Sequence, residues 1–237
     1  MDFLKMSNDN LSDRMKKYEQ AYDFNLTPNS CVIIRVDGKA FHTYTKDWYF
    51  QQQKLADKTS PFSEEMKNAM EYAMFEVAQE MQGFKLAYQQ SDECTFLLTD
   101  FDTHETQGWF GYRLNKLISV TASIFTANFN YGLDEVVPDL AFFDARAFVV
   151  PKEDAANVFV WRQKDWNRNS LQMLARTFYS HKECHKKNRF DLYEMCEKVY
   201  SWENLEDWQK YGQWLDKNMD ISYDYKDYDT VNELIFN

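Results

Sequence analysis

No stretch of the 237 residues approaches the ~18 uncharged apolar residues of a membrane-spanning helix, and the first twenty lack the basic-then-apolar order of an export signal. Neither a membrane span nor secretion is expected, which leaves a cytoplasmic protein. Cysteine is scarce. Its four residues, Cys31, Cys94, Cys184 and Cys196, form no CxxC pair, so disulfides and a structural zinc site are not indicated. There is no internal repeat and no low-complexity segment. Basic residues are outnumbered, 27 against 38 acids for a net charge of −11, which weighs against a nucleic-acid partner because phosphate binding draws on Lys and Arg.

What is present is a chain with 44% hydrophobic and 17% aromatic residues, enough for one sizeable core. Its charge is uneven: from Arg162 to Arg189 eight basic residues meet two acids. Such a run is either a solvated helix face or a basic surface for phosphates.

Along the chain, Met15, Tyr18 and Tyr22 fall at helical spacing and predict a short amphipathic helix. CVIIRV, ending at Asp37-Gly38, has the β-branched character of a buried central strand. Ser60-Pro61 followed by Glu64 and Glu65 predicts a helix start, and the stripe Met66, Met70, Ala73, Val77, Met81 its apolar face, with Gly83 ending it. FKLAYQQ and CTFLLTD read as a hairpin with Ser91-Asp92-Glu93 at its tip. A long apolar helix follows from Trp109 to about Tyr131-Gly132, then the strand AFFDARAFVVP, then helical sequence in two pieces from Lys152 to His185. The tyrosine-rich acidic end SYDYKDYD reads as a surface segment. Strand, helix, strand, strand, helix, strand is the ferredoxin-like order: an α+β fold with a four-stranded antiparallel sheet, helices on one face, and a helical C-terminal region.

In that order Asp37 and Asp92 come to one edge of the sheet. Two carboxylates so placed repel unless a cation lies between them, and oxygen-only ligands handling phosphates favour Mg²⁺. Gly38 lets the backbone turn so that its carbonyl faces the same ion. The plainer alternative is that Asp37 opens a turn and Asp92-Glu93 decorate a hairpin.

Taken together, RVDGKAFH, QSDECTFLLTD, WF followed by RLNK, FFDARAFVVP and WRQKDWNRNSLQM resemble the tRNA-His guanylyltransferase superfamily, the reverse-direction (3′-to-5′) polymerases, in order from about Tyr18 to about Tyr211. The eukaryotic pattern carries His-Ile-Asn-Asn where this chain has Asn167-Arg168-Asn169-Ser170, so the likeness is to the bacterial and archaeal "like" branch. The resemblance implies a polymerase palm, spanning 1–160, with residues 161–237 as a helical extension packed on it. It implies two Mg²⁺ ions held by Asp37, the Gly38 carbonyl and Asp92, with Glu93 as the adjacent acid. Arg113 and Lys116, on one helix face, match triphosphate-holding residues. Lys39, Ala40, Phe41, His42 and Ser91 fall in nucleotide-binding motifs, Arg35 at a further functional position, and Lys58 near Ser60-Pro61-Phe62-Ser63, where the family has Lys-Pro-Asn-Asp. Absence of the eukaryotic motif implies addition of NTPs to the 5′ end of truncated tRNA or similar structured RNA against a template, with ATP or GTP as activating or incoming nucleotide; the family resemblance implies a homotetramer. Arg162, Lys164, Arg168, Asn169, Lys182, Lys186 and Lys187 are then candidates for RNA contact.

Two other readings stay open. A palm-type nucleotide cyclase also hangs two aspartates on a strand and a hairpin, and a noncatalytic RNA-binding module would need only the basic region. His181, Cys184 and His185 lack a fourth ligand nearby for a metal cluster. Trp202, Trp208 and Trp214 read as packing anchors.

Overall fold

A run of buried β-branched side chains needs cover on both sides, and that requirement organises the molecule. The computed structural model describes residues 10–46, 54–55, 58–103, 105–133 and 139–237. After α1 (Leu11–Gln20), which buries none of its residues, comes β1 (Cys31–Gly38), then the single-turn α2 (Phe41–Tyr44) and a two-stranded ribbon of β2 (Lys54–Leu55) and β3 (Lys58–Thr59). α3 (Glu64–Glu80), β4 (Phe84–Gln90), β5 (Glu93–Leu98), α4 (Leu114–Gly132) and β6 (Phe143–Val150) complete the ferredoxin-like unit. α5 (Lys152–Phe178), α6 (His181–Cys184), α7 (Arg189–Glu197), α8 (Asp207–Tyr211), β7 (Gln213–Asp216), β8 (Ile221–Ser222) and α9 (Tyr228–Phe236) follow. None of the described helices is long and apolar enough to cross a membrane.

The sheet has six antiparallel strands in the order β6-β1-β5-β4-β7-β8, not the four expected. β7 is the reason: Gln213–Asp216 is only four residues long, too short for alternation to show, yet it pairs with β4 from Leu86 to Gln89. The helices also cover both faces rather than one. Along β1, Val32, Ile34 and Val36 enter a core with Met70 and Met74 of α3 and Phe125 of α4. Cys31 and Ile33 point the other way, to Phe159 of α5 and Val231 and Ile235 of α9.

Two helix starts differ from the sequence reading. α3 is capped by Ser63, whose hydroxyl accepts the Met66 amide at 3.2 Å, because Phe62 is drawn into a third core against Trp166 and Trp208. α4 starts at Leu114 because Phe110, Gly111 and Tyr112 all have positive φ, which leaves Arg113 at the cap and not on the helix face expected for it. The SYDYKDYD segment lies at the surface, as expected, and is pinned there by Lys226: the Gln163 side chain donates to the Lys226 carbonyl at 2.7 Å and accepts its amide at 2.9 Å. α5 runs unbroken through residue 160, its first half on the sheet and its second half in the third core with α6 and α7.

Candidate active site

β1 delivers Asp37 and Gly38 to one end of the sheet, where they meet the β4–β5 hairpin. Asp37 pairs in register with Glu93, and the Gly38 amide donates to the Asp92 carbonyl at 3.0 Å. The hairpin closes on just two residues, Ser91 and Asp92, with Ser91 at φ 47°. A positive φ at the first loop position is a glycine preference, and holding a serine there costs about 1–2 kcal/mol.

Burial raises the Asp92 carboxyl above the ordinary aspartate range and neighbouring Asp37 adds to the rise, opposed by the Ser91 hydroxyl and His42. On the other side of Asp37, Arg146 Nη2 lies 3.4 Å from its Oδ2 and 3.5 Å from Asp144 Oδ1. Asp37 thus draws the Arg146 cation on its β6 side and lies close enough to Asp92 to raise its carboxyl, which fits a further cation between the two aspartates. No group of three or more His, Cys, Asp or Glu converges to cage a metal among the described residues. Two carboxylates offer only hard oxygen donors, which fits a magnesium ion whose remaining positions phosphate oxygens and water would fill.

Glu93, in register with Asp37 and so on the same face of the sheet, is taken up by arginines. Arg162 grips it with two hydrogen bonds, Nε to Oε1 at 2.6 Å and Nη2 to Oε2 at 2.9 Å, and Arg35 Nε lies 3.8 Å from Oε2. Burial pushes the Glu93 carboxyl up, while the two guanidiniums oppose that shift. Arg162 is itself buried, so its assignment as an RNA contact is corrected: its donors are spent on Glu93 and Asp165. Trp161, 55% exposed, lies against both guanidiniums, 4.7 Å from Arg162 and 5.9 Å from Arg35.

Beside Asp92 opens a cleft of about 520 Å³, lined by Gly38, Ala40, Phe41, His42 and Ser91 on one side and Ser60, Pro61 and Met173 on another. Ala40, at φ 56°, turns the chain into α2. The first amides of a helical turn have no acceptor within it, so they are available to an anion. Lys39 is exposed at the same turn, its Nζ 5.9 Å from the Phe142 ring, and Lys58 is exposed beside the cleft residue Thr59.

Arg113 and Lys116 stand elsewhere. Arg113 bridges to Asn25, and its neighbour Tyr112 accepts the Leu26 amide and senses Cys31, the first residue of β1. The eight residues of β1 separate that end from Gly38, on the order of 25 Å of strand. Of the remaining basic candidates, Lys164, Arg168, Lys182, Lys186 and Lys187 are exposed, with Arg168 leaning on Asp165, to which Asn169 donates at 3.4 Å. The His181 and His185 rings lie 6.1 Å apart, and all four cysteines are free and buried. Trp202 and Trp214 are buried anchors. Sequence reasoning missed Arg146 and Met173. Arg146 was findable: it lies two residues from Asp144 on a strand, hence on the same face, opposite Arg35 and Asp37 of β1.

The family model for tRNAHis guanylyltransferase matches residues 12–151, more than half of the chain. The chain belongs to that family. Its fold superposes with a TM-score of 0.86 on a bacterial tRNA(His) guanylyltransferase-like protein in complex with ATP, 36% identical, across 96% of this chain and 100% of that one. A bacterial tRNA(His) guanylyltransferase-like protein in complex with GTP gives a TM-score of 0.78 at 35% identity, covering 97% of this chain and 100% of that one. The probable tRNA(His) guanylyltransferase of Drosophila melanogaster is 32% identical over 68% of this chain and 53% of its own length. The chain spans about half the length of the curated guanylyltransferases it matches. The family is one of nucleotidyltransferases, and the matched segment carries both Asp37 and Asp92.

Proposed function

We propose that this chain adds nucleotides to the 5′ end of tRNA or a similar structured RNA in the 3′-to-5′ direction, repairing shortened ends against a template. The observation that carries the reading is the convergence of Asp37 and Asp92 beside a cleft of about 520 Å³ in a chain of this family. ATP or GTP in that cleft is supported by the nucleotide complexes of the two bacterial structures.

Asp37, Asp92 and the Gly38 carbonyl would hold magnesium, which when bound lowers the pKa of an attacking hydroxyl and neutralises phosphate charge. The chain's own groups do the rest. The α2 turn and His42 orient the nucleotide so that its 3′ oxygen reaches the 5′ phosphorus of the RNA. As the new P–O bond forms, the bond to pyrophosphate breaks, or to AMP where a monophosphate end has first been adenylylated. Glu93, locked by Arg162, fixes the strand that carries Asp92. Base pairing with the template selects the nucleotide. Because Arg113 and Lys116 lie at the far end of the sheet, a role on this triphosphate would fall to the copy of a neighbouring subunit, as the expected homotetramer allows.

The test incubates labelled 5′-mono- and 5′-triphosphorylated truncated tRNAs with each NTP and magnesium. Growth at the 5′ end is expected. Cyclic nucleotide formed from NTP alone, or RNA binding without pyrophosphate release, would overturn the proposal in favour of a cyclase or a binding module.

A further inference from the structure

On the side of α5 away from the nucleotide cleft lies a second concavity of about 580 Å³, lined by Lys164, Asn167, Arg168, Arg189, Tyr211 and Tyr225, with Trp202 at its base. Met173 of the same helix lines the cleft. Nine residues separate it from Lys164, which at 3.6 residues per turn sends the two side chains in opposite directions. α5 is thus a wall with a nucleotide-sized space on one side and this groove on the other.

The groove is basic and aromatic. In a protein of net charge −11, its lining among the described residues carries three cations and no carboxylate, Arg168 leaning on Asp165 just outside it. Its floor is fixed: the Arg189 guanidinium donates to Asn167 Oδ1, and Asn167 Nδ2 donates to the Lys210 carbonyl at 3.1 Å. Tyr225 is 49% exposed and meets Tyr211 edge-to-face at 5.9 Å, leaving ring surface open to the groove. Cations spaced along a channel with exposed aromatic faces suit a strand whose bases are unpaired, since phosphates meet the cations and bases stack on the rings. Duplex RNA offers its bases to no such ring. The groove also begins close to the reacting edge: Arg162 holds Glu93, and Lys164 and Arg168 follow it at about 3 and 9 Å along the helix axis.

We propose that this groove holds an unpaired strand of the RNA substrate, the 3′ segment running past the 5′ end that is being extended. The inference rests on the reading of 5′-end addition to RNA and specifies that substrate: a helix end with a single-stranded 3′ extension.

The experiment compares two 5′-triphosphorylated hairpins that share a stem, one blunt and one with a short 3′ extension, by fluorescence anisotropy on the full-length protein. The extended hairpin is expected to bind roughly five- to a hundredfold tighter, the range of one stacked base. Tyr225→Ala should remove most of that preference without changing blunt-hairpin affinity, and Tyr225→Phe should keep it. Lys164→Gln with Arg168→Gln should flatten the salt dependence for the extended hairpin by about two phosphate contacts. ATP binding in the cleft serves as the folding control for each variant. Equal wild-type affinity for the two hairpins, or a Tyr225→Ala loss that is the same on both, overturns the groove assignment. Failure of the wild type to add a nucleotide to either hairpin overturns the 5′-end reading instead, and the binding comparison still decides the groove.

Discussion

The amide of Gly38 donates to the carbonyl of Asp92 at 3.0 Å, tying the exit of β1 to the tip of the next hairpin. A Cβ added at Gly38 would come within 2.2 Å of Phe41 Cδ2. Phe41 cannot swing away, because it is buried against Phe129 and Phe143 at 5.6 and 4.9 Å. Gly38→Ala should therefore displace α2 and the cleft it lines, with a destabilisation of about 1–3 kcal/mol, the usual cost of overpacking. Urea unfolding and ATP affinity would both register it. An unchanged affinity would mean the α2 turn does not shape the nucleotide site.

Asp37 gives the opposite profile. Its contact with Arg146 is long at 3.4 Å and both side chains are well exposed, 39% and 50%, so the ion pair contributes at most about 1 kcal/mol. Asp37→Ala should leave the melting temperature nearly unchanged while 5′-nucleotide addition falls by on the order of 10²- to 10³-fold or more, as when an electrostatic element aimed at the reacting groups is removed. Extension of a truncated tRNA at the wild-type rate would remove Asp37 from the chemistry.

Arg162 and Glu93 are a buried pair, with side chains 10% and 13% exposed. Arg162→Ala strands the carboxylate in the sheet edge and should cost about 3–5 kcal/mol, whereas Arg162→Met combined with Glu93→Gln should recover much of the loss. Chemical denaturation of the single and double variants separates this from an RNA-contact role. If Arg162→Ala weakens RNA binding at full stability, the packing assignment is wrong.

The contrast between Arg162 and its neighbours marks the limit of what sequence conveys. The run from Arg162 to Arg189 was legible as basic, and Asp37, Asp92 and the hairpin between them as an edge cluster, because strand alternation and turn residues are local signals. Which of the cations is buried is not local: Arg162 is spent only because β5 places Glu93 beneath α5. The same holds for β7, whose four residues become a strand only through β4, and for Arg113, whose distance from Asp37 depends on α4 starting at the Cys31 end of β1. The two-faced burial of β1 was implied by its unbroken apolar run, but the elements covering the second face, the first half of α5 and α9, lay beyond the ferredoxin-like pattern.

Asp92 predicts a pH dependence. Burial holds its folded-state pKa above the ordinary aspartate value, so the native state keeps a proton over a window in which the unfolded chain has released it. The stability this contributes is fully present below the ordinary value and is lost as pH rises through the raised one. Asp92→Asn should flatten that part of the melting-temperature profile and melt higher than wild type at neutral pH without divalent ions. Added magnesium should raise the wild-type midpoint and leave the variant's unchanged. Melting curves across pH, with and without magnesium, check both halves, and identical profiles for the two proteins would sink the assignment.

Ser91 couples the strain of the hairpin to that same carboxylate. At φ 47° a glycine would sit without steric cost, so Ser91→Gly should relieve part of the ~1–2 kcal/mol penalty of the left-handed conformation. For a chain of this size each kcal/mol raises the melting temperature by about 2–4 °C. The hydroxyl, however, lowers the Asp92 carboxyl against the pull of burial, and its loss should push that carboxyl further up. A smaller fraction is then ionised at a given pH, so the acid limb of the pH–rate profile for nucleotide addition should move to higher pH while the protein itself becomes more stable. Opposite signs from one substitution are the signature of strain retained for function. A variant that melts lower, or whose acid limb stays in place, would show that Ser91 is held there for packing alone.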